Sequence, residues 1–221
     1  MKTLIKSLSQ VSTKRTIRKQ TILYYQGEVP RNASILLDGL IKVYSINSMG
    51  EEQIVSFHAQ DDIFPLPWVF NETNNTLFYY EAITDCQIVS VTKDMLLEKI
   101  AQRPDIFKQL FQRLMHTHTG LLLRITALEQ SRATEKILYT LYYLMFHYGR
   151  EKKPGIFTIE LKLTQPAIAS LVGLTRETTA KCLNQLRRKG VVSYKTHTYT
   201  VNKAKFERYL GEDAFTDLLS T

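Results

Sequence analysis

Between Leu171 and Lys181 the chain reads LVGLTRETTAK: an apolar stretch that stops at Gly173, then Arg176, Glu177 and Lys181 within about two helical turns. Arginine presents a planar donor fork that matches the O6 and N7 acceptors of guanine, and glutamate accepts from the amine of cytosine. Lys181 lies about a turn further along the same face and can reach a base or a phosphate. The same three charges could decorate a solvated helix end. Arg176, however, stands where the helix macrodipole disfavours a cation, so local helix physics does not account for it. The chemistry expected here is recognition of nucleic acid.

Such a head needs elements to aim it. Thr164 is expected to cap a helix opening with Gln165-Pro166, where proline costs no hydrogen bond. Ile168, Ala169, Leu171 and Val172 form its inner side. Thr175 caps the next helix, with Thr179, Cys182, Leu183 and Leu186 inward. Two short helices around a glycine turn make a helix-turn-helix, whose second helix enters the major groove by its start. Thr164, Gln165, Thr175 and Thr178 sit at the two helix starts and are candidates for phosphate oxygens. Arg188, with Arg187, lies late in the second helix and is a further phosphate candidate. After Gly190, VVSY and YTV flank Lys195-Thr196-His197 as a hairpin, a wing.

Charge agrees with this placement. Residues 1–130 carry 14 Lys and Arg against 13 Asp and Glu, a net +1. Residues 131–221 carry 15 against 8, a net +7. A basic segment joined to a neutral one is expected to meet a polyanion. Apolar content of 44% with 23% charged residues is that of an ordinary globular protein. No apolar run approaches the ~18 residues of a membrane helix, and MKTLIKSLSQ lacks the apolar core of a signal peptide. Two cysteines, Cys86 and Cys182, supply neither a disulfide framework nor the ligands of an iron–sulfur cluster or structural zinc site. They read as small core residues in a cytoplasmic protein.

Upstream, short runs rich in Ile, Val, Tyr and Phe fill Thr13 to Val91, as in TIRKQTILYY, SILLDGLIKVYSI, EQIVSFHA and CQIVSV. Turns at Gly27, Asp38-Gly39 and Ser48-Met49-Gly50 separate them, and the spacing predicts a sandwich, roll or barrel. The Asp38-Gly39 pair predicts a hairpin. Thr92 caps a short helix, and Pro104 opens a long one to about Glu129. Along it Phe107, Phe111, Leu114, His118, Leu121, Ile125 and Leu128 alternate spacings of 4 and 3, a heptad seam that predicts pairing with a second copy. RATEKILYTLYYLMFHY follows as a deeply packed helix. Gly149 to Gly155 reads as a loop, and the alternation of Phe157, Ile159, Leu161 and Leu163 as a half-buried strand.

The stretch LTQPAIASLVGLTRETTAKCLNQLRRKGVV resembles the winged helix-turn-helix of the Crp/Fnr family of bacterial transcription regulators, of which the Arg-Glu-Thr triplet at 176–178 is a hallmark. The resemblance covers nearly the whole chain. It implies an α+β architecture: a β-roll of the double-stranded β-helix, cyclic-nucleotide-binding type over residues 1–103, a dimerisation helix over 104–130, and a winged helix-turn-helix over 131–221. It implies that Arg176 and Glu177 read bases, with Lys181 where the family usually has an arginine. The implied partners are double-stranded DNA as an inverted repeat, a second copy of the chain and RNA polymerase, without a membrane.

The family's cyclic-AMP binders hold the phosphate with a Gly-Glu-Leu stretch and an Arg-Ser or Arg-Thr pair. Here Pro65 and Leu66 stand for the first and Thr76 and Leu77 for the second, and no Lys or Arg lies between Lys42 and Lys93. A buried cyclic phosphate would lack a cationic partner, which is costly. Leu121 and Leu122 stand where cyclic-AMP binders usually place hydroxyls. The effector is left open, and no cofactor is expected. His116 and His118 have a metal pair's proximity in sequence, but positions i and i+2 of a helix point apart. A roll-based metal oxygenase would need converging His and carboxylate ligands, and the strand region has one histidine, His58. A cyclic-nucleotide- or other small-ligand-binding module in which DNA binding is secondary is the alternative function.

Overall fold

The computed structural model describes residues 12–211; the reading of MKTLIKSLSQ and the outer limits of the 1–103 and 131–221 segments lie outside the described residues. The chain divides into two compact units, Met1–Arg113 and Leu114–Thr221.

Among its described residues, the β-rich patterning of the first unit yields eight strands: β1 (Thr13–Ile17), β2 (Ile22–Tyr24), β3 (Ala33–Asp38), β4 (Ile41–Ile46), β5 (Glu52–His58), β6 (Ile63–Phe64), β7 (Tyr79–Ala82) and β8 (Cys86–Val91). They form two antiparallel sheets, β1-β8-β3-β6 and β2-β7-β4-β5, the roll expected from the spacing of short strands. In the first sheet Leu36 and Ile88 pair and face a core with Ile41, Val43 and Tyr80 of the second. Their neighbours Ile35 and Val89 face the other way, onto a core that includes Trp68 and Val69 of α1 (Leu66–Val69), Leu96 and Ile100 of α2 (Lys93–Ala101), and Ile106 and Leu110 of α3 (Pro104–Glu129). Covered on both faces, β3 reads as a continuous apolar run rather than an alternating one. Thr92 caps α2 by accepting from the Met95 amide.

One turn expectation fails. Asp38-Gly39 does not close a hairpin: β3 pairs with β6 and β8, while β4 pairs with β5 and β7. The dipeptide is a corner where the chain leaves one sheet for the other. Gly39 has φ +101°, and a Cβ there would stand 2.6 Å from the Asp85 carbonyl oxygen and from Cys86 Sγ. The Leu40 amide donates to Thr84 Oγ1 at 2.9 Å and the Ile83 amide to the Leu40 carbonyl at 3.0 Å, so a second corner locks the first. The hairpin lies one turn later, between β4 and β5, where Asn47 Oδ1 accepts from the Met49 and Glu51 amides.

Asp62, just before β6, ties the roll to α3. Its Oδ1 receives Arg113 Nε at 2.7 Å, and its Oδ2 accepts the Ala59 amide at 2.7 Å and lies 3.5 Å from His58 Nδ1. Burial pushes this carboxyl up, but the hydrogen bond and charge of His58, the Arg113 guanidinium and the amide outweigh it and hold it below its ordinary value. The His58 ring stacks on Phe64 at 4.8 Å, within the core.

In the second unit, α4 (Ala133–Tyr148) is the hub, buried along Ile137, Leu138 and Leu141 to Met145. Around it stand α5 (Gln165–Val172), α6 (Arg176–Arg188), α7 (Lys203–Leu210) and a sheet ordered β11-β12-β10-β9. The strands are β9 (Gly149–Lys153), β10 (Ile156–Ile159), β11 (Val192–Lys195) and β12 (Thr198–Asn202). The expected loop from Gly149 is therefore in part a strand. Its residues GREKK are almost all exposed, so neither alternation nor apolar content marks it, and the charges suit a sheet edge. Conversely, β10 ends at Ile159, with Leu161 and Leu163 buried beyond it.

Helix α3 buries Leu123 and Ala127 in this unit, and Gly120 lies beneath the His147 ring. His116 stacks on Phe146 at 4.3 Å and meets His147 edge-on at 4.7 Å, whereas His118 is exposed. The seam residues Phe107, Phe111, Leu114, Leu121, Ile125 and Leu128 are 38–54% exposed.

Candidate nucleic-acid interface

The helix-turn-helix forms where its caps and apolar pattern place it. Thr164 accepts from the Ala167 amide at 3.2 Å and starts α5, with Gln165-Pro166 in its first turn. Gly173 ends that helix in the left-handed region, φ 64° and ψ 39°, and the Leu174 amide closes back on the Ala169 carbonyl at 3.1 Å. Thr175 then starts α6: its oxygen accepts the Thr178 amide at 3.2 Å, and its hydroxyl meets Thr178 Oγ1 at 3.0 Å. Ile168, Ala169, Leu171 and Val172 of α5 are buried, as are Thr179, Cys182, Leu183 and Leu186 of α6, the inner faces expected from the sequence. Burying each of the larger side chains stabilises the pair by about 1.5–3 kcal/mol.

This packing fixes what points outward. Arg176, Glu177 and Lys181 are all exposed, and none forms an ion pair with a described residue. Arg187, Arg188 and Lys189 continue the exposed basic face at the other end of α6. Thr164 and Thr175 accept cap amides, and Thr175 also donates its hydroxyl to Thr178 Oγ1; the hydroxyl protons of Thr164 and Thr178 can still donate outward. The exposed surface around α6 can therefore donate hydrogen bonds widely and accept at Glu177, a pattern suited to an anionic polymer with base edges.

The wing lies beside it. β11 and β12 pair through a two-residue turn, Thr196-His197, with both residues in the left-handed region at φ 48° and 68°. Such backbone is costly for non-glycine residues. The Leu163 amide, just before α5, donates to the His197 carbonyl at 2.9 Å and fixes this turn. Sequence reasoning missed Tyr194 on β11: its hydroxyl donates to Asn184 Oδ1 of α6 at 3.1 Å and receives Gln165 Nε2 of α5 at 3.4 Å. No local signal announces contacts between residues 10 and 29 positions apart.

Thr76 is buried, and its hydroxyl donates to the Tyr25 and Glu28 carbonyls, closing the turn after β2. Leu77 is 47% exposed. Lys42 is engaged by Glu52 at 2.5 Å and Glu81 at 3.0 Å, with its ammonium over the Tyr44 ring. Burial, with the Glu81 and Glu52 charges, pushes the Tyr44 hydroxyl up to about 12. Among the described residues no group of three or more His, Cys, Asp or Glu is placed to hold a metal ion, and no helix is long and apolar enough to cross a membrane.

Comparison with known proteins agrees with both units. The cyclic nucleotide-binding domain model matches residues 14–103 and the Crp-like helix-turn-helix domain model matches residues 135–209. The HTH-type transcriptional regulator ArcR of Staphylococcus haemolyticus is 30% identical over 175 residues, 78% of this chain and 75% of its own length. The regulatory protein HlyX of Actinobacillus pleuropneumoniae is 25% identical over 195 residues, 87% and 79% of the two chains. FixK2 from Bradyrhizobium japonicum has the same fold, with a TM-score of 0.71 at 20% identity over 88% of this chain and 95% of that one. So has a CooA mutant from Carboxydothermus hydrogenoformans, at 0.76 and 19% over 93% and 90%. A roll followed by a capped helix-turn-helix and wing, matched domain by domain and by a regulator of comparable length, places this chain in the Crp/Fnr family of transcription regulators.

Proposed function

We propose that the protein is a cytoplasmic homodimer that binds an inverted DNA repeat, with Arg176 and Glu177 reading bases in each half-site. One observation carries this reading: the packing that buries the inner face of α6 leaves Arg176, Glu177 and Lys181 exposed at its capped start. Thr164, Gln165, Thr175 and Thr178 flank that start, Arg188 lies at the far end of α6, and all five hold phosphates, with Lys181 reaching a base or phosphate. The exposed seam of α3, from Phe107 through His118 to Leu128, pairs with its counterpart in a second copy. Two-fold symmetry then sets the half-sites one helical turn apart, about 34–36 Å. RNA polymerase is the partner through which binding alters transcription.

The roll acts as an effector domain without the usual cyclic-AMP phosphate site. Lys42 is occupied by two glutamates and Thr76 by the turn it closes, so a cyclic phosphate would meet no available cation there. Selection of bound duplexes from a random pool tests the proposal. The expected product is a two-fold symmetric consensus with a G·C pair in each half. An asymmetric consensus, or none, would overturn it.

A further inference from the structure

We infer that Tyr194 is a positioning residue that sets the sequence discrimination of the reading head; this rests on the base-reading role proposed for α6. Its phenol lies where three DNA-facing elements meet. The hydroxyl donates to Asn184 Oδ1 on α6 at 3.1 Å and accepts from Gln165 Nε2 at the start of α5 at 3.4 Å. The ring carries the Arg187 guanidinium 5.3 Å from its centroid. Asn184 and Arg187 are three residues apart and share a face of α6, so that face grips the wing at two points. Tyr194 itself is anchored from β11, paired to Tyr199 of β12, whose ring is buried and lies 5.5 Å away.

One oxygen thus fixes α6 relative to both the wing and the first helix. Gln165 spends one amide proton on Tyr194 and keeps the other for a phosphate, so the phosphate grip and the orientation of α6 are linked through the phenol. Phosphate contacts tolerate small rotations of the reading helix, because they rest on charge. Bidentate base contacts do not, because they need aligned donors and acceptors. Loss of the hydroxyl should therefore lower affinity for the selected site while leaving affinity for unrelated DNA in place.

The test uses the full-length protein and fluorescence anisotropy against the selected duplex, its single-base variants and an unrelated duplex. Tyr194→Phe keeps the ring under Arg187 and removes only the hydroxyl. It should lower specific affinity about five- to thirtyfold, the loss of one to two net hydrogen bonds, with non-specific affinity and salt dependence unchanged. Asn184→Leu should narrow the discrimination in the same direction, and the double variant should lose no more than Tyr194→Phe alone, because the bond to Asn184 is one of the two that removal of the hydroxyl already breaks. If wild type discriminates and Tyr194→Phe discriminates equally well, or if the two losses add in full, the positioning role is wrong while base reading stands. If wild type does not discriminate, both fall.

Discussion

Gly120 offers a sharp test of the packing in the second unit, because two effects of opposite sign meet there. Glycine within a helix costs about 1 kcal/mol relative to alanine, so Gly120→Ala should stabilise α3 if nothing else changes. The structure says otherwise. A Cβ at Gly120 would stand 1.6 Å from His147 Nε2 and 2.4 Å from its Cδ2. Ordinary contact begins at 3.4 Å, so the ring must retreat by roughly 2 Å. It has little room to do so, with His116 at 4.7 Å, Tyr143 at 5.0 Å and Phe146 at 5.4 Å between ring centroids. Overpacking of this kind costs about 1–3 kcal/mol, and each displaced ring contact forfeits ~0.5–1.5 kcal/mol. The clash outweighs the helix gain, and Gly120→Ala should be destabilising by about 1–2 kcal/mol. For a unit of this size that lowers the midpoint by roughly 4–8 °C per kcal/mol. In a His147→Ala background the obstruction is gone, and the same substitution should stabilise by ~1 kcal/mol. Calorimetric or urea unfolding of the four proteins, at one protomer concentration, closes the cycle. A rise in stability for Gly120→Ala alone, or the same sign in both backgrounds, would refute this packing.

Three further outcomes are expected. Leu121→Glu on the seam should convert the dimer to monomers and abolish specific DNA binding, since pairing would bury two unpaired carboxylates, one from each helix, at the interface; an unchanged dimer in sedimentation would place the interface elsewhere. Because the Asp62 carboxyl is held below its ordinary value, its contribution to the roll is complete above the unfolded value near pH ~4 and is lost as pH falls through the lower folded value. Asp62→Asn should accordingly show a shallower acid decline in urea midpoint than wild type, and parallel curves would contradict the ion-pair account. Calorimetric titration with cyclic AMP and cyclic GMP should show no binding tighter than about 1 mM, and micromolar affinity would mean that a cation outside the expected segment meets the phosphate.

What the sequence disclosed was whatever local periodicity and capping control. The seam spacing of Phe107 to Leu128, the caps at Thr92, Thr164 and Thr175, and the inner faces of α5 and α6 all follow from side-chain type at fixed offsets, and so did the placement of Arg176 and Glu177 on an exposed helix start. Partner choice was less visible. Asp38-Gly39 has the composition of a hairpin, but the chain turns between sheets there because Thr84 to Cys86 occupies the space beside it. β9 is an edge strand without an apolar face, so its pairing with β10 leaves no periodic trace. The Tyr194 contacts join three elements through one oxygen and have no sequence signature at all.

The central claim is that α6 reads bases through Arg176, and the pattern of loss across single-base variants of the selected site tests it most directly. Binding of wild type and Arg176→Ala should be measured against every substitution in one half-site at fixed salt. Removal of a bidentate guanine contact should cost about 1–3 kcal/mol per half-site and flatten the preference at one base pair only, with the others retained. A loss of equal size for every variant would make Arg176 a phosphate ligand and contradict the account.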